Sequence, residues 1–245
     1  IESGRAFNFD DWSVGNLVFA GCYLRSGRRF NEAVDDYCML LGLPPGIVEN
    51  VTVGENAHLV AVGEDGAVLG SEEEIVGTAG QNRIREIYLI DRAMTDADRE
   101  WLRRADPATI AAFFEERRQA VTLNPRLAAR LAEADLIVYA PGTQHSSLFP
   151  SYMTPGLADA IAANLKAILI TNIQTDAEIF GASAVDIIGR ALYYLNDKGS
   201  RALPTPCLIT HYVVNDPGRV ESSAPYVPLG QIEALEDPRL VRIAN

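Results

Sequence analysis

"DLIVYAPGTQHSSLFPSYMTPGLADAI", residues 135–161, decides the fold. An unbroken apolar run, Leu136 to Ala140, passes into Pro141-Gly142 and then the polar stretch Thr143-Gln144-His145-Ser146-Ser147. Thr154-Pro155 then predicts a helix over 155–164, with Pro in its first turn. A strand without polar alternation is buried on both faces, as in parallel sheets covered by helices. The same pattern recurs downstream as strand 167–172 ("AILITN"), helix 183–196 and strand 207–214 ("CLITHYVV"). Upstream, Asn124-Pro125 opens a helix over 125–134. Helices alternating with apolar strands predict an open α/β sheet with mostly parallel strands.

The amino-terminal half is less regular. "WSVGNLVFAGCYL" (12–24) reads as a helix apolar nearly all round, hence buried. Residues 31–42 read as a second helix with Asn31 as cap and Gly42 as stop. "HLVAVGEDGAVLGS" (58–71) predicts a hairpin, and "IREIYLID" (84–91) another strand. Thr95 to Leu123 reads as helical throughout, with Asp106-Pro107 opening its second part, so 94–121 forms a helical insertion. "DPRLVRI" near the end suggests a last short strand. No repeat, low-complexity segment or linker divides the chain, and residues 1–245 are expected to form one domain.

Composition narrows the function. With 21 Lys and Arg against 33 Asp and Glu, net charge is −12, which excludes a general nucleic-acid backbone binder. One phosphorylated small ligand stays admissible, because main-chain N–H groups can hold it. The three cysteines, Cys22, Cys38 and Cys207, are scattered and odd in number, indicating neither zinc site nor disulfide framework. No apolar run is long enough to span a membrane, and the start lacks a signal pattern. The expected location is cytoplasmic. The sequence opens at Ile1-Glu2-Ser3 without Met, as expected of a fragment or processed chain.

Ligands of open parallel sheets settle outside the carboxyl ends of the strands. Three such ends are readable: 141–154, Asn172 to Thr175, and Asn215 to Gly218. In the first, Gly142 permits close approach, Thr143, Ser146 and Ser147 offer hydroxyls, and the expected helix start after Thr154 offers free N–H groups. That makes a local anion cradle suited to a pyrophosphate. The same residues also make ordinary sense as caps and a turn. His145, among hydroxyls, could move a proton or contact phosphate. No acidic partner for it can be assigned, and His58 and His211 read as structural.

"WSVGN" (12–16) is a second candidate: Ser13 as cap, Gly15 for approach, and Asn16 to read a base or sugar edge. Asn172, ending its strand, is either a turn former or a ligand contact. Asp10-Asp11, Asp35-Asp36 and Glu72-Glu73-Glu74 lack metal-ligand spacing and read as solvated faces or caps. There is no P-loop, no G-x-G-x-x-G and no G-x-S-x-G elbow.

Three stretches together, "SVGNLVFAGCYL", residues 134–161 and "ITNIQTDAEIFGASAVDII", resemble the CofD-like family of 2-phospho-L-lactate transferases and gluconeogenesis-factor proteins. The resemblance covers most of the chain. It implies a Rossmann-like three-layer sandwich, here with an inserted hairpin, that binds a nucleotide diphosphate or nucleotide sugar. One branch moves a phospholactyl-type group from a guanosine diphosphate donor to a deazaflavin alcohol with Mg²⁺. The other is known as a non-catalytic binder of uridine-diphosphate sugars, a regulator of carbon metabolism or cell envelope. By motif position Ser13, Gly15 and Asn16 fall in the first conserved element, Gly142, Thr143, Ser146 and Ser147 in the second, and Asn172 in the third. His145 joins them as a ligand contact, and a homodimer stays open. The family's Gly-rich turn and Asp segment, expected to hold phosphate and Mg²⁺, would precede Ile1. Trp12 and Ala140 also depart from the pattern, standing where relatives have His and Gly.

Overall fold

The computed structural model describes residues 13–77, 83–215 and 225–235. The expected strand at 237–243 and the acidic pair Asp10-Asp11 lie outside them. Two helices come first, α1 (Val14–Arg25) and α2 (Phe30–Leu40). Ser13 caps α1, its Oγ accepting from Asn16 N at 3.1 Å. The pair is joined by aromatic edges, Phe19 against Phe30 and Tyr37. The expectation that α1 is buried fails: only Cys22 along it is buried, and Val14 and Leu24 are 76% and 65% exposed. Its apolar residues go all round, while α2 covers a single side. Asn31 does not cap α2. It lies inside the helix, one residue past the start, and its amide donates to Thr52 O instead.

The hairpin forms as read, from β1 (His58–Gly63) and β2 (Val68–Leu69), followed by a short helix α3 (Glu72–Gly77). Strand β3 (Ile84–Ile90) pairs antiparallel with β1, giving the sheet order β2-β1-β3. Period-two alternation then divides the two strands' side chains between opposite faces. Ala61 and Ile87 enter the main core, while Val60, Val62, Tyr88 and Ile90 pack on Leu102, Ile110 and Phe114.

Those last three residues belong to α4 (Asp96–Leu102) and α5 (Pro107–Glu116). Thr95 and Asp98 form a reciprocal capping box on α4, and Asp106 Oδ1 accepts from Ala108 N and Thr109 N on α5. The helix does not run on to Leu123. After Glu116 the backbone extends along the free edge of β3, Gln119 N donating to Leu89 O and Asp91 N to Arg117 O. Unpaired edge carbonyls outcompete continuation of the helix.

Helix α6 (Pro125–Glu133), capped by Asn124, leads to the parallel sheet. Its strands are β4 (Ile137–Tyr139), β5 (Ala167–Ile170) and β6 (His211–Val213), in that spatial order. Between β4 and β5 lie a π-helical turn (Gln144–Leu148), α7 (Phe149–Tyr152) and α8 (Leu157–Ala162). Between β5 and β6 lie α9 (Ala184–Leu195) and α10 (Thr205–Leu208). The last strand is shorter than expected because Pro206 imposes a helical turn on residues 205–208. Ile137, Tyr139, Ala167 and Leu169 bury one face against Phe149, Leu157, Ile161 and Ile188. On the opposite face Val138 and Val213 are 48% and 49% exposed. No helix among the described residues is long and apolar enough to cross a membrane.

Candidate functional site

The polar stretch after β4 is not a loop. Leu148 N reaches back to Thr143 O at 3.2 Å, closing a π-helical turn that runs directly into α7. The helix expected from Thr154-Pro155 begins only at Leu157, after Gly156 turns the chain at φ +85°. Thr154 itself is buried. π-turns are rare and recur at functional sites, because they push side chains out of helical register. Here successive residues point to opposite sides.

On one side, the ends of β4 and β5 are tied together. Gln144 Nε2 donates to Asn172 Oδ1 at 2.7 Å, and Asn172 Nδ2 donates to Gly142 O at 3.0 Å. Gln144 is almost wholly buried. Asn172 is thereby fixed at both ends of its amide, and Gly142 and Asn172 are adjacent as parallel-sheet topology requires. Thr143 and Ser147 stay exposed with their hydroxyls 2.7 Å apart, and Ser146 Oγ lies 3.5 Å from Ser147 Oγ. A Cβ at Gly142 would meet only Leu148 at 3.6 Å, an ordinary contact. The fold therefore does not demand glycine there.

On the other side, the His145 ring is 6% exposed and lies edge-on to Phe149. Neither ring nitrogen has a partner. Burial, with the Arg190 cation nearby, lowers its pKa to about 3, so the imidazole is neutral at ordinary pH. The amides of His145 and Ser146 are already taken. Glu178 Oε2 accepts from them at 2.7 and 2.9 Å, a carboxylate set on the positive end of the turn. Sequence reasoning missed Glu178 and Gln144. Glu178 lies 33 positions beyond His145, and only the fold brings the two together.

Ser13, Gly15 and Asn16 lie at the start of α1. Among the described residues no hydrogen bond joins them to 142–147 or to Asn172. A Cβ on Gly15 would come within 3.2 Å of the Tyr37 hydroxyl, so close packing on α2 accounts for that glycine. Asn16 is exposed. At the third strand end, residues 216–218 lie outside the described residues.

The acids at the site are Asp176 and Glu178. Asp176 Oδ1 accepts from Glu178 N and Ile179 N, and its Oδ2 faces Asn172 Nδ2 at 3.5 Å. Main-chain N–H donors take one oxygen of each carboxylate, and these two acids by themselves do not make up a magnesium site among the described residues. Nor do the described residues contain any cluster of three or more His, Cys, Asp or Glu suited to a metal.

A family model described as 2-phospho-L-lactate transferase CofD matches residues 6–224. The uncharacterized protein YNL011C of Saccharomyces cerevisiae is 32% identical over 82 residues, 33% of this chain and 18% of that protein. Two crystal structures of protein BH3568 from Bacillus halodurans, one described as a member of the UPF0052 family, superpose with TM-scores of 0.64 and 0.63. Each is 19% identical to this chain, covering 89% of it and 60% of the other. Similarity at that level bears on fold alone. This chain spans three fifths of the solved proteins, and its match to the yeast protein is a smaller part still.

Proposed function

The chain belongs to the 2-phospho-L-lactate transferase CofD family, and from that premise we propose that it binds a nucleotide diphosphate at the carboxyl ends of β4 and β5. Family membership supports a transferase-like role. The finer reading is transfer of a phospholactyl-type group from a nucleotide diphosphate donor to an alcohol acceptor. The observation that carries it is the Asn172 amide, held by Gln144 and Gly142 where two parallel strands end. Around it are a bare backbone at Gly142 and the exposed hydroxyls of Thr143 and Ser147.

In such a transfer the acceptor hydroxyl attacks the donor phosphorus and the nucleotide leaves. The protein's contribution is to align the two and to offset charge developing on the phosphoryl oxygens. Thr143 and Ser147 would donate to those oxygens, and Asn172, locked by its partners, would keep their supporting backbone in place. A pre-ordered donor costs no reorganisation when charge develops. The anion cradle differs from the sequence expectation in one respect. Two of its amides are held by Glu178, so the exposed hydroxyls carry more of the donor role.

Calorimetric titration with guanosine and uridine diphosphates and their sugar conjugates, with and without Mg²⁺, tests the reading. Saturable binding is expected, weakened by Asn172→Ala. If none of these ligands binds, the proposal fails. Recovery of bound nucleotide sugar unchanged, with no transfer to any alcohol, would identify a non-catalytic regulator instead.

A further inference from the structure

Gln144, the first residue of the π-turn, is 4% exposed, and chemistry fixes which way its amide faces. The Gly142 carbonyl receives Gln144 Nε2 at 3.1 Å and Asn172 Nδ2 at 3.0 Å. A carbonyl oxygen only accepts, so each amide must turn its nitrogen towards it. Gln144 Nε2 donates its second N–H to Asn172 Oδ1 at 2.7 Å. Exchanging oxygen and nitrogen in either amide would set oxygen against oxygen, so both are locked in one sense.

That leaves Gln144 Oε1. Among the described residues nothing donates to it, since both printed bonds of this side chain run from Nε2. Nor is it closed off from solvent, as the partnerless oxygens of Asn31, Glu55, Asn164 and Glu178 are. Covalent geometry sets it about 2.2 Å from Nε2, and so within roughly 5 Å of both Asn172 Oδ1 and Gly142 O. It is an immobile acceptor that reaches solvent where β4 and β5 end. An acceptor largely withdrawn from water costs free energy until something donates to it.

We propose that Gln144 is a specificity-determining residue of the nucleotide site, its Oε1 accepting from a ribose hydroxyl of the bound nucleotide. The inference rests on the nucleotide reading above and adds which part of the ligand is recognised. An ionised phosphate has no proton to give, so Oε1 must face another part of the ligand than the diphosphate. The attacking alcohol fits poorly as well, because it has to lose its proton and a carboxamide oxygen is no base. A ribose hydroxyl keeps its proton throughout the transfer and suits a neutral, fixed acceptor. Of the nucleotide's donors, the ribose hydroxyls lie nearer the diphosphate than those of the base, and Gln144 adjoins Thr143, whose exposed hydroxyl is assigned to the phosphates.

A site built to hold a hydroxyl rejects the analogue that lacks it, because its own polar atom is left unpaired. The probes are guanosine and uridine diphosphates beside their 2′,3′-dideoxy analogues, titrated calorimetrically into the full chain. The dideoxy forms should bind at least tenfold more weakly. Gln144→Lys keeps a donor for Gly142 O and Asn172 Oδ1 and removes the acceptor, so the ratio between ribose and dideoxy forms should fall below threefold, whatever the variant's own affinity. A merely structural role would weaken both forms alike and leave the ratio intact. Should that variant fail to fold by circular dichroism, Gln144→Met serves the same comparison. Equal binding of ribose and dideoxy forms by the unaltered chain, or full discrimination in a folded variant, would overturn the proposal and leave the nucleotide reading standing. No binding of any diphosphate would overturn both.

Discussion

Acid should destabilise this protein through His145 well before its carboxylates matter. The ring is buried, without partners, and its pKa is lowered to about 3, against roughly 6.5 in an unfolded chain. Between those values the unfolded state binds a proton that the native state refuses. Stability is therefore full above about pH 6.5 and falls as pH drops towards 3. The slope is about 1.4 kcal/mol per pH unit, which is about 2 kcal/mol at pH 5 and roughly 5 kcal/mol at the acid limit. Urea unfolding at pH 8 and pH 5 reads this directly. At an m-value of about 3 kcal/mol/M the His145 contribution lowers the midpoint by about 0.7 M. His145→Phe is the control, because it removes titration while keeping an aromatic ring beside Phe149 and the main-chain amide on Glu178. The variant should lose about 2 kcal/mol less than the parent between the two pH values. Identical pH dependence in both proteins would refute the reasoning.

Other perturbations follow from contacts already described. Glu178→Gln replaces a buried carboxylate that accepts two main-chain amides, and should cost about 2 kcal/mol, lowering the melting temperature by about 4–8 °C; a shift under 1 °C would show the contact to be idle. Asn172→Ala removes two hydrogen bonds, leaving Gln144 Nε2 only its bond to Gly142 O at 3.1 Å, and should cost about 1–3 kcal/mol in a thermal melt and weaken nucleoside diphosphate binding more than tenfold; unchanged affinity would place the nucleotide elsewhere. Gly230→Ala meets both a φ of +82° and the side chain of Ser183, the cap of α9, and should cost more than about 2 kcal/mol. Parent-like melting of that variant would show that the 228–231 backbone moves freely.

Much of the second half of the chain was legible because its signals are local. Asn124-Pro125 and the Ser183 to Asp186 box are caps whose donors lie within three residues, so they read directly as helix starts. The regions read incorrectly are those where a distant partner decides. Residues 117–123 have helical composition, yet the open edge of β3 draws them into extended backbone. Thr154-Pro155 carries a start signal, but the π-turn had already begun a helix at Gln144, leaving Thr154 inside the connection. The site divides in the same way. Gly142 and Asn172 could be expected side by side, because neighbouring strands of a parallel sheet bring their carboxyl ends together. His145 lies next to them in sequence but faces the interior, since one residue of helical rotation separates Gln144 from it. Glu178, which decides what the turn's amides can bind, carries no local mark.

The helices at 96–116 bear on how this protein could be shortened. Because β1 and β3 send Ala61 and Ile87 one way and Val60, Val62, Tyr88 and Ile90 the other, the antiparallel sheet is greasy on both surfaces. Trimming α4 and α5 would leave four large side chains of the antiparallel sheet facing water. That is the recipe for sheet-to-sheet association between molecules. A shorter natural or engineered version would have to carry polar residues at 60, 62, 88 and 90 at the same time. The two helices thus form an obligatory part of the hydrophobic interior, and only a coordinated change at those four positions could dispense with them.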